Sequence, residues 1–103
     1  MSKPQLSEEL EMGLKALLYA HPEIKRLVLF GSRAKGKARN NSDIDLYVDA
    51  GEDSLTIRED VADSTGIVPA DVIVPEMLDN SPVLREQIEE HGIDLVKYFG
   101  YCK

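Results

Sequence analysis

Residues 27–48 read LVLFGSRAKGKARNNSDIDLYV. Leu27 to Phe30 form a continuous apolar run, the pattern of a short strand covered on both faces. Gly31-Ser32 stops that strand. Residues 32–35 are predicted to start a short helix that Gly36 ends, and residues 37–41 form a polar loop. A second strand is expected over residues 43–48. On a strand successive side chains alternate, so Asp43, Asp45 and Tyr47 share one face while Ile44, Leu46 and Val48 take the core face.

Outward from this stretch, the chain alternates helix and strand. Residues 7–20 carry leucines at 10, 14, 17 and 18, a helical spacing, with Ser7 as cap and Glu8 and Glu9 at the positive end. His21-Pro22 ends that helix, because a residue before proline is pushed out of helical geometry. A turn over 49–53 leads to a helix over 54–65 stopped by Gly66. Residues 69–74 are a third strand bracketed by Pro69 and Pro75, which implies a sheet edge or a strand end. Ser81-Pro82 opens a further helix with proline at its first position, Val83, Leu84 and Ile88 as its apolar stripe, and Gly92 as its end. Residues 93–98 are read as a last strand. The expected class is α+β, a sandwich of helices over a small mixed sheet, in one domain spanning 1–103.

Composition narrows the function classes. The 103 residues carry a formal net charge of −7. That is a poor match for a duplex-binding surface, which gains its affinity by neutralising phosphates. Six of the twelve cations nonetheless fall within residues 25–39: Lys25, Arg26, Arg33, Lys35, Lys37 and Arg39. A local basic patch on an acidic body suits a small polyanion. No apolar run reaches the ~20 residues of a membrane span, and residues 1–10 lack a signal-peptide core, so a cytoplasmic location is expected. The single cysteine, Cys102, excludes an internal disulfide and a cysteine-built metal site.

The chemistry lies in the opening stretch. Carboxylates at i and i+2 of a strand project from one face, roughly 6–7 Å apart, and can share hard divalent cations. Asp71, at the head of the third strand, is available as a third carboxylate if that strand lies beside the second. A glycine after a buried strand lets backbone approach a ligand, and the N–H groups that follow suit an anion. Ser32 adds a hydroxyl donor. Each feature alone is common in solvated turns and strand ends. Together they place a phosphate cradle some ten residues before an acidic pair.

The segment GSRAKGKARNNSDIDL resembles the GSRARG…SDIDL signature of the nucleotidyltransferases of the DNA polymerase β superfamily, and the short chain resembles their minimal nucleotidyltransferase (MNT) group. ADVIVPEML is similar to the strand that carries the family's third aspartate, and LREQIEEHGIDLVKY to its closing helix and strand. The resemblance implies the nucleotidyltransferase fold. It also implies that Gly31, Ser32 and Arg33 hold a triphosphate tail, that Asp43, Asp45 and Asp71 bind two Mg2+ ions, and that Asp71 takes the proton of an attacking hydroxyl. ATP is the implied substrate. The implied partner is a HEPN-domain protein, with the chain as antitoxin transferring AMP to a hydroxyl of that toxin. Two other readings stay open: an antitoxin that acts by binding alone, and a transferase for a small molecule or an RNA end. The chain spends nearly all its length on the catalytic core and offers no obvious aromatic platform for a base, so the acceptor is expected to be bound partly by another chain. Exposed apolar surface on so short a chain would favour self-association, a homo-oligomer, or a partner.

Overall fold

The computed structural model describes residues 6–31, 33–34, 36, 43–66 and 68–100. Helix α1 (Glu8–Ala20) begins where Ser7 accepts a hydrogen bond from the Leu10 N–H at 3.2 Å. It ends at His21, as the following proline requires. Strands β1 (Arg26–Phe30) and β2 (Ile44–Asp49) follow. A single 3-10 turn (Gly51–Asp53) then leads into α2 (Ser54–Asp63) and β3 (Ala70–Ile73). Two helices come next, α3 (Pro75–Leu78) and α4 (Pro82–His91). The chain closes on β4 (Ile93–Asp94) and α5 (Leu95–Tyr98).

The sheet order is β3-β2-β1-β4. β1 runs antiparallel to β2 and β4, and β2 runs parallel to β3. It is therefore the small mixed sheet expected, with β3 at an edge, where a strand bracketed by prolines belongs. On one face Leu27, Leu29, Ile44, Leu46 and Val48 pack with Leu14, Leu17 and Leu18 of α1 and with Ile57 and Val61 of α2. Five of these side chains are fully buried strand residues, each stabilising the fold by about 1.5–3 kcal/mol relative to exposure.

The other face is covered in part, which the alternation of β2 does not reveal. Tyr47, which shares a face with Asp45, is only 4% exposed and packs with Val28, Phe30, Leu78 and Ile88. Helices α3 and α4 thus cover the half of this face remote from Asp45. Gly92 makes the close approach possible, since a Cβ there would lie 2.4 Å from Val28 Cγ1.

Four expectations need correction. Residues 93–98 are not one strand: Asp94 accepts from the Val96 N–H at 3.0 Å and so caps α5, which buries Leu95 and Val96. Val83 is 65% exposed, so the stripe of α4 narrows to Leu84 and Ile88. Helix α3 begins at Pro75, where only a strand end was expected. Finally, Arg33, Ala34 and Gly36 form a turn, with the Gly36 N–H on the Arg33 carbonyl, rather than a helix. Gly31 and Gly36 both have positive φ, 77° and 71°; Ser32 and Lys35, the other residues of the expected short helix, lie outside the described residues. No helix among the described residues is long and apolar enough to cross a membrane.

Candidate active site

The carboxylates converge because of strand register. Asp45 of β2 stands directly opposite Asp71 of β3, and opposite Phe30 of β1 on its other side. Paired residues of neighbouring strands project from the same face, so Asp45 and Asp71 emerge side by side. Asp43 immediately precedes β2 and is exposed, as is Asp71, whereas Asp45 is half-buried. The polypeptide leaves β1 at Gly31, directly against the acidic pair. A Cβ at this glycine would sit 2.4 Å from Asp45 Oδ2, and its φ of 77° is one that side chains rarely adopt. Glycine is thus demanded twice at this position, by conformation and by proximity.

Electrostatics marks the same spot. Burial, and then the neighbouring charges of Asp71 and Asp43, raise the Asp45 carboxyl above the ordinary carboxylate range. Three hard oxygen donors gathered at one end of a sheet, with no cation among the described residues offsetting the charge at Asp45, fit a divalent cation. As they stand the three are spread wider than a closed coordination shell. Among the described residues the only three acidic or imidazole groups with ligand atoms within 4.8 Å of one another are Glu86, Glu90 and His91, all exposed on α4.

The remaining sequence candidates divide. Arg33 lies just beyond Gly31 but is only 4% exposed. Ser32, Lys35, Lys37, Arg39, Ser42 and Cys102 lie outside the described residues. The run of cations along 25–39 is divided by β1. Arg26 pairs in register with Asp49, at the far end of the strands from Asp45, roughly 13 Å away at 3.3 Å per residue. There its guanidinium contacts Glu89 at 2.9 Å and lies over the Tyr47 ring. Arg26 therefore ties α4 to the sheet.

One residue near the site gave no signal in sequence. Arg58 of α2 donates from Nε to the Val72 carbonyl at 2.9 Å. With Asp71, Glu59, Ala62, Ala70 and Val72 it lines a cavity of about 150 Å3 at the β3 edge. An arginine among the acids of a thin helix looks like any solvated charge.

Comparison with known proteins agrees with this geometry. Residues 13–98 match the family model described as Polymerase beta, Nucleotidyltransferase. A crystal structure of a toxin–antitoxin with AMP-PNP is 27% identical, with a TM-score of 0.62, over 82% of this chain and 71% of that one. A mutant of the toxin–antitoxin MntA-HpeT, bearing two aspartate-to-glutamate changes two positions apart, is 25% identical, with a TM-score of 0.61 over the same shares. No curated protein matches the sequence. The sheet order, the acidic strand ends and a match over residues 13–98 lead to one assignment: this chain belongs to the polymerase β nucleotidyltransferase family.

Proposed function

We propose that this chain is a metal-dependent nucleotidyltransferase that moves AMP from ATP to a hydroxyl of a partner protein, and that it acts as the antitoxin of a toxin carrying a HEPN domain. The observation that carries the reading is the register of Asp45 with Asp71 beside Gly31. It gives acids at the edge of a backbone turn that can receive phosphate. The toxin–antitoxin context comes from the two solved structures, one with AMP-PNP, the other with two altered aspartates.

In this reading Asp43, Asp45 and Asp71 would hold two Mg2+ ions, which would supply charge neutralisation for the phosphoryl transfer. Gly31 and Ser32 receive the β- and γ-phosphates on backbone and hydroxyl donors, and the charge of Arg33 adds to the local positive field. Asp71, the exposed member of the in-register pair, takes the proton of the acceptor hydroxyl. The acceptor oxygen bonds to the α-phosphorus, the bond from that phosphorus to the bridging oxygen breaks, and pyrophosphate leaves. Little covalent chemistry falls to the protein; the rate comes from positioning and electrostatics.

The test is transfer of label from α-labelled ATP, with Mg2+, to the protein encoded beside this chain. Label should appear on that partner and disappear in Asp43→Asn and Asp45→Asn. Neutralisation of the partner that survives both substitutions, with no label transferred, refutes the enzymatic reading in favour of an antitoxin that acts by binding.

A further inference from the structure

We propose that Arg58 is a positioning residue for the third carboxylate, holding the edge strand β3 so that Asp71 stays in register with Asp45. The inference rests on the transferase reading above, in which Asp71 is a metal ligand. Strand β3 is four residues long, is bracketed by Pro69 and Pro75, and among the described residues pairs only with β2. An edge strand presents backbone groups with no ladder partner on its open side. At Val72, the residue after Asp71, the carbonyl is met by Arg58 Nε at 2.9 Å. The residue is half-buried on α2, whose Ile57 and Val61 are anchored in the core. The bond thus connects the strand that carries Asp71 to a fixed helix rather than to solvent.

The orientation of the side chain separates this role from a charge effect. Arg58 uses Nε, the atom nearest its stem, and it forms none of the ion pairs found among the described residues. Glutamine carries an amide nitrogen the same number of bonds from the backbone as arginine Nε. Arg58→Gln therefore keeps a donor for the Val72 carbonyl and removes the charge. Arg58→Met keeps the stem and removes the donor.

The experiment is a calorimetric titration of the full chain with Mn2+ in the presence of AMP-PNP. Groups that orient a metal ligand typically change metal affinity by about 10–100-fold. Arg58→Met should weaken the ion that depends on Asp71 by about tenfold, and Arg58→Gln should remain within about threefold of the wild type. In an Asp71→Asn background Arg58→Met should cause no further loss, because residues acting through one another are not additive. Hydrogen exchange at the Val72 and Ile73 amides should speed up in Arg58→Met and not in Arg58→Gln. Wild-type affinity in Arg58→Met, equal losses in Met and Gln, or a full additional loss on top of Asp71→Asn overturns the assignment. If Mn2+ binds equally to the wild type and to Asp45→Asn, the carboxylate site itself is wrong, and this inference falls with it.

Discussion

Replacing Gly31 by alanine should separate the site from the fold. The new Cβ would lie 2.4 Å from Asp45 Oδ2, where real Cβ contacts essentially never fall below 3.0 Å. The backbone of β1 is held by its ladder with β2, so the carboxylate, the free end of a side chain, has to move by more than half an ångström. Metal–ligand distances tolerate only about ±0.2 Å, and a displacement near 1 Å can cost on the order of 100-fold in rate. The positive φ adds a conformational cost of about 1–2 kcal/mol, partly offset by about 0.4–1 kcal/mol from the stiffer unfolded chain. Gly51 supplies the control. Its φ is 61°, a Cβ there meets only Lys25 Nζ at 3.7 Å, and it lies beyond the far end of β2. Both variants should lose similar stability, about 1 kcal/mol or 4–8 °C in a domain of this size. Only Gly31→Ala should lose Mn2+ affinity in the presence of AMP-PNP, by at least about tenfold. Calorimetry and thermal melts on the two proteins decide it. A Gly31→Ala protein that binds metal and nucleotide like the wild type would show that Asp45 is not used where it stands against the turn.

Other consequences follow from burial and charge. Burial and the charges of Asp71 and Asp43 raise the Asp45 carboxyl, so its stabilising contribution is complete below the ordinary carboxylate range and is lost as pH rises through its folded value. Asp45→Asn should therefore raise the melting temperature of the metal-free protein at neutral pH while abolishing transfer, and no rise would mean that the carboxylates are not in conflict. Mg2+ with ATP at about 100 times its Kd should stabilise the wild type by about 2.7 kcal/mol, read as a shift in the melt that Asp45→Asn lacks. Gly13→Ala, normally favourable inside a helix, should instead destabilise by about 1–3 kcal/mol, because its Cβ would fall 2.1 Å from the Ser64 carbonyl oxygen; a gain in denaturation midpoint contradicts that packing. Ile88→Ala should cost about 2–5 kcal/mol in chemical denaturation, since Ile88 is 1% exposed in the second apolar cluster.

By itself the sequence determined the local structure and the chemical vocabulary. The cap at Ser7, the leucine spacing of α1, the apolar run of β1 and the alternation of β2 are short-range signals, and each element formed where they placed it. The glycine–acid spacing and its resemblance to a signature already named a family, which the match over residues 13–98 shows. What sequence could not carry were relations across the chain. Tyr47 is buried because α3 and α4 return over its face, and no alternation pattern encodes a second cover. Residues 95–98 have strand-like composition, yet the Asp94 cap and the burial of Leu95 and Val96 make them a helix, tertiary packing overriding propensity. Arg26, adjacent in sequence to the basic stretch, is carried to the other end by five residues of strand. The pairing of Asp45 with Asp71 is likewise a property of parallel register, set 26 residues apart in the chain. The contact of Arg58 with that strand exists only because α2 packs beside its edge. Asp43, Asp45 and Asp71 were legible in the sequence; the register that sets Asp71 beside Asp45, and the contact of Arg58 with that strand, were decided by how the sheet closes.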